Sequence, residues 1–558
     1  MPTLLNRLVR ITGSAAGLVL AGTAIVLGLD WLNAIRPPHD DSRYLAIAFL
    51  EVFLASYVVV LTAVAVALVI LGSVVWWSPS RPKTVRWLLL CGSIVLGLVM
   101  AEAAAAAWLS WIHRLPSLPH RFTRPAQPGD EILIVVIGES SALGVPYDGW
   151  LSIGTIVARE LQKAIPARHF RVEILAEKGA TLEAMHLKLA RLTRRPDALI
   201  VFSGHNEFLA RFSLSSRVAY YFDERTFRQG GAWLELAGRF SPLYRLALEN
   251  LEKRRVSVMA AGSLGALETI VGRPVCTSNE ANAVAVDFHR RLEAIVADCE
   301  RIGCLPILIV PPGNDASSPN QSYANPATGA VIRQALARRL MEVLSIEEQD
   351  PDRAIAAYQQ IVAEQPTHAR AHHRLARLLQ SDRSFVDANR HYIVARDHDG
   401  LPLRCITALE AAYQGVTRRH AQNVMLVDGP AVLRTKSRHG ILDAELFHDN
   451  VHPTLAGHIA LAEAVLNGLK ARAAFGWPDS TPAPELDLQR CADEFGIDAF
   501  AWATVCDRSA AYYGQLALLP SDSAERVEWR DRYANAARRI RAGARPEDIG
   551  IFDLRSTR

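Results

Sequence analysis

The sequence predicts an α/β protein that begins with three transmembrane helices and continues as a domain with a parallel sheet between layers of helices. A helical insert interrupts this domain and a C-terminal helical region follows it. Three observations support the prediction. Charged residues are sparse before residue 113, short β-branched runs alternate with amphipathic stretches from residue 131 onward, and a spacing of 34 residues recurs within residues 333–400.

Composition excludes several classes of protein. The 558 residues include 61 Lys+Arg and 57 Asp+Glu, for a net charge of +4, and 50% of them are hydrophobic. A near-balanced charge gives no reason to expect nucleic acid as a partner, because binding a polyanion requires a concentrated basic patch. The apolar content and the seven dispersed cysteines exclude a disordered chain and a disulfide-dense scaffold.

The first 112 residues contain only 12 charged side chains. A helix that spans a bilayer needs about 20 apolar residues, and three stretches meet this requirement: 11–31, 52–77 and 87–111. A cleaved signal peptide is the alternative for the first stretch. No Ala-x-Ala-like cleavage site follows it, so an uncleaved anchor is favoured.

Basic residues in the short flanks predict the orientation of these helices. Arg81, Lys83 and Arg86 lie in the second connection without an acidic residue, and Arg7 and Arg10 precede the first stretch. Lys and Arg are retained on the cytoplasmic side. We therefore expect a multi-pass protein of the inner (cytoplasmic) membrane, with the chain after residue 111 on the periplasmic side.

Beyond the membrane region, strands and helices are predicted to alternate. This order favours a parallel sheet with helices on both faces. In such sheets, the functional residues lie at the carboxyl ends of the strands. The strand candidates are 131–137, 171–175, 197–202, 306–311 and 423–427.

Ser140, Asp449 and His452 form the first candidate group of functional residues. Ser140 follows the first strand within a glycine-flanked turn, and Asp449 precedes His452 by three residues on one predicted loop. A serine hydroxyl attacks a carbonyl carbon only when an imidazole removes its proton, and a carboxylate must orient that imidazole. These residue types therefore indicate nucleophilic catalysis.

Gly179 and Asn206 form a second group, which could stabilise negative charge. Gly179 follows the second strand and Asn206 the third. A backbone N–H or a side-chain amide can donate to the oxyanion that develops during acyl transfer. No spacing of Cys, His and carboxylates typical of a metal site is visible, so we expect neither a metal nor a cofactor.

Taken in chain order, these short blocks resemble the SGNH or GDSL-like serine hydrolase superfamily. The resemblance implies a flavodoxin-like α/β/α sandwich with Ser140 as nucleophile, His452 as general base and Asp449 orienting that base. It implies an oxyanion hole formed by the N–H groups of Ser140 and Gly179 and by the Asn206 amide. The matching blocks are Gly138-Glu139-Ser140, Gly179, Gly204-His205-Asn206-Glu207 and Asp449-x-x-His452.

The match has two departures and several open assignments. Glu139 and Glu207 stand where the family pattern commonly has Asp, and Ser141 is an alternative nucleophile. His205, Glu207 and Arg404 are candidates for binding substrate. Six cysteines follow the membrane region, and they form disulfides in unknown pairings or remain buried thiols.

A helical insert is predicted from an internal repeat. Ala354, Tyr358 and Ile361 recur 34 residues later as Ala388, Tyr392 and Ala395. This period and these residue types resemble a tetratricopeptide pair, which implies a platform for a protein or glycan partner or a structural elaboration over the cleft. The predicted regions are 1–112 (membrane), 130–332 and 401–475 (hydrolase), 333–400 (insert) and 480–558 (C-terminal helices).

The sequence thus predicts a membrane-anchored esterase that cleaves O-acyl esters of an envelope glycan or a lipid through an acyl-enzyme. Transfer of the acyl group to a sugar hydroxyl would use the same residues and remains an alternative. A non-catalytic scaffold built on the tetratricopeptide-like insert is a further alternative.

Overall fold

The structure is a computed structural model. It describes residues 115–125, 129–208, 278–322, 330–517 and 523–549, with a few single positions at 99–106, 241–243 and 276.

Five parallel strands form the central sheet, in the spatial order β2-β1-β3-β4-β5. This is the strand order of flavodoxin-like sheets, so the predicted parallel α/β architecture is confirmed. The strands are β1 (Glu131–Gly138), β2 (His169–Ile174), β3 (Ala198–Phe202), β4 (Leu305–Ile309) and β5 (Met425–Val427).

Helices fill the connections between strands and extend beyond the last strand. In chain order they are α1 (Ser140–Leu143), α2 (Ile153–Ala164), α3 (Leu182–Leu189), α4 (Ser278–Ile302), α5 (Ala330–Ile346), α6 (Pro351–Glu364), α7 (Ala369–Ser381), α8 (Phe385–Asp397), α9 (Thr407–Arg419), α10 (Gly429–Lys436), α11 (Leu455–Ala471), α12 (Leu488–Glu494), α13 (Ala499–Leu516) and α14 (Ser523–Arg541). Two short 3₁₀ helices cover Ala474–Gly476 and Pro546–Asp548.

The side chains of β1 alternate between two hydrophobic cores, because successive residues of a strand point to opposite faces of the sheet. Even-numbered residues from Ile132 to Val136 pack in one core, with α2 and α11. Odd-numbered residues from Leu133 to Ile137 pack in the other, with α3, α4 and α9. A strand buried on both faces reads as the continuous apolar run that the sequence shows here.

Helices α5–α8 lie in the connection between β4 and β5 and form a third core, to which Ile441 from the loop after α10 also belongs. Ala354 and Tyr358 of α6 and their counterparts Ala388 and Tyr392 of α8 are all buried. The Tyr358 hydroxyl donates to Glu347 at 2.6 Å, and the Tyr392 hydroxyl donates to Gln380 at 2.7 Å. The 34-residue spacing therefore marks equivalent packing positions, while assignment to the tetratricopeptide class stays a prediction.

The C-terminal helices α12–α14 pack on the same sheet face as α2 and α11. Trp502 and Tyr513 of α13 and Tyr533 of α14 are buried in that core. Aspartates cap two of these helices: Asp487 accepts from the Arg490 N–H, and Asp498 accepts from the Ala501 N–H. The last part of the chain is therefore continuous with the core that supports the sheet.

The predicted membrane region is contradicted. Within the described residues, no helix combines the length and the apolar character needed to cross a bilayer, and the longest, α4, carries charged residues along its length. The stretches 11–31, 52–77 and 87–111 lie outside the described residues, apart from a few positions in the third. The fold-class prediction of three transmembrane helices, and the inner-membrane localisation that depended on it, are corrected accordingly.

Five cysteines in the part of the chain that the structure describes are free thiols, and all five are buried: Cys299, Cys304, Cys405, Cys491 and Cys506. Of the two alternatives drawn from the sequence, the structure has buried thiols.

The turn after β1 leaves no room for a side chain at Gly138, which adopts a positive φ of 148°. A Cβ atom there would lie 2.0 Å from the Phe202 carbonyl oxygen and 2.7 Å from the Ala142 Cβ. Gly149 also has a positive φ, but a Cβ there would meet no atom within 4 Å.

We expect Gly138→Ala to lower the free energy of unfolding by about 1–3 kcal/mol more than Gly149→Ala does, because only the first change adds overpacking to backbone strain. Urea unfolding followed by circular dichroism measures both variants. Equal losses of stability would contradict the close approach of β1 to the end of β3.

Candidate functional site

Ser140 lies at the start of α1, immediately after β1. The residue is 9% exposed, and the contact of its hydroxyl with His452 is buried. Gly144 ends this short helix in a left-handed conformation, and its N–H bonds back to the Ser141 carbonyl at 3.2 Å. The tight turn holds the Ser140 side chain at the end of β1.

The loop that carries Asp449 and His452 curls around the Asp449 carboxylate. One carboxylate oxygen accepts from the N–H groups of Val451 (2.8 Å) and His452 (2.9 Å). The other lies 2.5 Å from His452 Nδ1. Burial alone would raise the pKa of Asp449, but the adjacent imidazole and the N–H donors keep that pKa below its ordinary value.

The structure brings Ser140, His452 and Asp449 together. His452 Nε2 lies 2.8 Å from Ser140 Oγ, so one imidazole bridges the carboxylate and the hydroxyl. Ser141 Oγ instead donates to the Val451 carbonyl at 3.0 Å. Of the two serines considered from the sequence, Ser140 is the one within hydrogen-bond distance of His452.

Gly179 and Asn206 follow β2 and β3, the two strands that flank β1. The ends of three neighbouring parallel strands meet at one edge of a sheet, so both residues share that edge with Ser140. Gly179 has a φ of 73° and open space where a Cβ would lie. Asn206 is half-buried.

Glu139 supports the loop that contains Asn206. Its fully buried carboxyl group accepts from the N–H groups of Gly204 (2.7 Å) and His205 (2.6 Å). Burial raises the pKa of Glu139 to about 8, and repulsion from Glu207 acts in the same direction. The longer glutamate therefore reaches from the end of β1 to the loop after β3.

The three candidate substrate-binding residues contact protein groups. His205 Nδ1 accepts from the Cys405 N–H at 3.0 Å, and burial lowers the pKa of His205 to about 3. Glu207 accepts from the Leu182 N–H at 2.8 Å, at the start of α3, and burial raises its pKa to about 7. Arg404 is 1% exposed and donates to the carbonyls of Asn314 and Ser317, each at 2.8 Å. These contacts hold the loops around the site, and contact of His205, Glu207 or Arg404 with substrate stays a prediction.

The buried His448 joins three separate parts of the chain. The Tyr147 hydroxyl accepts from the Leu455 N–H at 3.0 Å and lies 2.8 Å from His448 Nε2. Ser509 Oγ donates to the Val505 carbonyl and lies 3.2 Å from His448 Nδ1. The Tyr533 hydroxyl lies 3.3 Å from the same Nδ1 atom. Burial lowers the pKa of His448 to about 3, which favours the neutral ring.

Tyr512 of α13 contributes a further side chain that the sequence analysis missed. Its ring is centred 4.8 Å from the His452 ring, at an angle of 36°. The partly exposed Tyr512 covers one side of the imidazole. No motif marks this residue, and its only signal in the sequence is membership of the aromatic pair Tyr512-Tyr513.

Among the described residues, no group of three or more His, Cys, Asp or Glu side chains is arranged to hold a metal ion. The arrangement at Ser140 can still move a proton from a hydroxyl to an imidazole whose other nitrogen faces a carboxylate.

Comparison with known proteins adds little. No protein-family model and no curated protein match the chain. Among solved structures, it is similar to LAE5, an α/β hydrolase enzyme from the metagenome of Lake Arreo, Spain, with 14% sequence identity and a TM-score of 0.25. The match covers 63% of this chain and 97% of that one. A likeness this distant carries no argument about the site.

The raised pKa of Glu139 predicts a pH-dependent stability. The folded state keeps a proton on Glu139 up to about pH 8, whereas an unfolded glutamate loses it near pH 4.5. The contribution of Glu139 to the free energy of unfolding therefore falls as pH rises between these values. We expect Glu139→Gln to flatten this fall, since an amide mimics the protonated carboxyl group.

Chemical denaturation from about pH 5 to about pH 8 measures the slope, with the exposed Glu445→Gln as the matched control. A Glu139→Gln protein that retained the full wild-type slope would show that Glu139 is not a source of the pH dependence.

Proposed function

We propose that this chain is a serine ester hydrolase of the SGNH type that cleaves O-acyl esters through a Ser140-His452-Asp449 triad. The observation that carries the proposal is the continuous pair of contacts from Asp449 Oδ2 to His452 Nδ1 and from His452 Nε2 to Ser140 Oγ, at 2.5 and 2.8 Å. Such a chain activates a serine hydroxyl for attack on a carbonyl carbon.

The reaction divides into two steps. His452 Nε2 takes the Ser140 proton as Oγ attacks the ester carbonyl, and the proton then passes to the departing alcohol as the carbon–oxygen bond breaks. A water molecule, deprotonated by the same nitrogen, attacks the acyl-serine and releases the acid. Asp449 stabilises the imidazolium in both steps.

Negative charge on the carbonyl oxygen requires donors that are in position before the reaction begins. We assign this role to the N–H groups of Ser140 and Gly179 and to the Asn206 amide. The position of these groups supports the assignment, because all three follow adjacent strands at the edge of the sheet where Ser140 lies. Glu139 acts as a positioning residue for the loop of Asn206, through its bonds to the N–H groups of Gly204 and His205.

A fluorophosphonate probe tests the nucleophile directly, because it bonds covalently to an activated serine. We expect the wild-type protein and Ser141→Ala to be labelled and Ser140→Ala to remain unlabelled. We expect Asp449→Asn to lower kcat for an aryl acetate by about 10⁴-fold, as loss of the orienting carboxylate does in serine hydrolases.

Mass spectrometry of the labelled peptide identifies the modified residue, and circular dichroism establishes that each variant is folded. A folded wild-type protein that is neither labelled nor active on an aryl acetate would refute the proposed function.

We expect kcat/KM to depend more on the aromatic ring of Tyr512 than on its hydroxyl group. Removal of an aromatic contact of this kind costs about 0.5–1.5 kcal/mol, so we expect Tyr512→Ala to lower kcat/KM for an aryl acetate roughly three- to tenfold. Tyr512→Phe keeps the ring over His452 and should remain within about twofold of wild type. Equal losses in the two variants would instead assign the effect to the hydroxyl group.

A further inference from the structure

Asp148 lies in the loop that follows α1 and contacts two other parts of the chain. Its Oδ2 atom lies 2.8 Å from the ammonium group of Lys178, in the loop after β2. Its Oδ1 atom accepts from the guanidinium of Arg508, in α13, at 2.9 Å. The Asp148 side chain is only 16% exposed and has a cation at each oxygen, so it differs from the isolated surface ion pairs that contribute little.

Arg508 attaches the Asp148 loop to α13. Its guanidinium also donates to the backbone carbonyls of Pro146 (2.7 Å) and Asp148 (2.9 Å), and it lies 5.2 Å from the centre of the Trp150 ring. Tyr512, which contacts the proposed general base, is one helical turn further along α13 and therefore on the same side of that helix. The Asp148 carboxylate is thus held by the helix that covers His452.

Lys178 and Gly179 are the two central residues of a β-turn. The Ala180 N–H donates to the Glu177 carbonyl at 3.2 Å and closes this turn. Gly179 has a φ of 73°, as the third residue of a type II turn requires. The N–H of Gly179 belongs to the central peptide group, and the closing hydrogen bond uses the N–H of Ala180 instead. The direction of the Gly179 N–H therefore depends on how the centre of the turn is held.

The turn is attached to the body of the protein at two successive residues. The Glu177 N–H donates to the Gly138 carbonyl at 3.1 Å, which holds the first residue of the turn at the end of β1. The ion pair with Asp148 acts one residue further on, at Lys178. Loss of this ion pair would leave the turn in place and release the peptide group that carries the Gly179 N–H.

We propose that Asp148 is a positioning residue for the oxyanion hole, which orients the Gly179 N–H through its ion pair with Lys178 while Arg508 holds Asp148 in place. This inference rests on the proposed function, in which that N–H is one of three oxyanion donors. Such donors act only if they are in position before the reaction begins. A displacement of about 1 Å can lower the rate by about a hundredfold.

The charge of Asp148 makes the direction of the kinetic effect decisive. A carboxylate near a developing oxyanion opposes that charge, so Asp148→Asn would raise kcat if Asp148 acted only through its own electrostatic field. The same substitution should lower kcat if Asp148 acts by holding Lys178.

Steady-state kinetics on an aryl acetate separate these effects in full-length Asp148→Asn, Lys178→Met and the double variant. We expect each single substitution to lower kcat about tenfold and to leave KM within about twofold, because oxyanion donors act mainly in the transition state. Both changes remove the same ion pair, so the double variant should also lose about tenfold, rather than the hundredfold of independent effects. Lys178→Arg retains the cation and should retain most of the wild-type kcat.

Lys163→Met is the matched control. Lys163 forms an ion pair of the same length with Glu494, at 2.8 Å, and its side chain is 39% exposed, against 50% for Lys178. It lies in the last turn of α2, shortly before β2 begins, and therefore near the opposite ends of the strands from Ser140. Its loss should leave kcat and KM unchanged. Thermal unfolding establishes that all variants are folded.

An unchanged or raised kcat in Asp148→Asn overturns the inference. A loss that appears in KM instead of kcat, or a double variant whose loss is the product of the two single losses, also overturns it. These results leave the proposed function intact, because they require an active wild-type enzyme. A folded wild-type protein with neither activity nor fluorophosphonate labelling refutes the proposed function, and the inference with it.

Discussion

The burial of the Asp449 carboxylate is the constraint on which the rest of the site depends. The residue is 3% exposed, and a buried charge is costly unless hydrogen bonds and an opposite charge compensate it. The chain meets this requirement within four residues, through the N–H groups of Val451 and His452 and through His452 Nδ1. Once the loop has curled around its own carboxylate, the second nitrogen of His452 faces Ser140. The requirement for charge compensation and the geometry that activates the serine are met by the same set of bonds.

The C-terminal helices contact the residues that surround this arrangement. Tyr512 covers the imidazole, and Ser509 bonds to His448, which in turn bonds to Tyr147 beside the nucleophile turn. Helix α13 thus contacts both sides of the proposed active site. A region whose sequence contains no chemical motif is in this way part of the environment in which the proposed reaction occurs.

Much of the fold and part of the site could be predicted from the sequence, for physical reasons that differ between elements. Strands β1, β3 and β4 are buried along most of their length and therefore read as apolar runs, and Ser140 and Asn206 come shortly after β1 and β3. The contact of Tyr512 with His452 could not be predicted, because it depends on how α13 packs on the sheet. The burial of Arg404 could not be predicted either, since a charged loop in sequence gives no sign that its donors will bind carbonyls. The apolar stretches before residue 113 led to a membrane prediction that the described helices do not support.

The late position of β5 has a consequence for the order in which the molecule is assembled. Ser140 and His452 are 312 residues apart in the sequence. The ribosome therefore synthesises β1–β4 and all of α5–α9 before it synthesises His452. Until residues 425–427 pair with it, β4 has an open edge of unsatisfied backbone groups, the kind of surface that promotes association between nascent chains. Helices α5–α8 supply most of a separate core and can begin to fold during this interval, although Ile441 of that core follows β5. The sheet is completed only after the insert has emerged, when one three-residue strand pairs with β4.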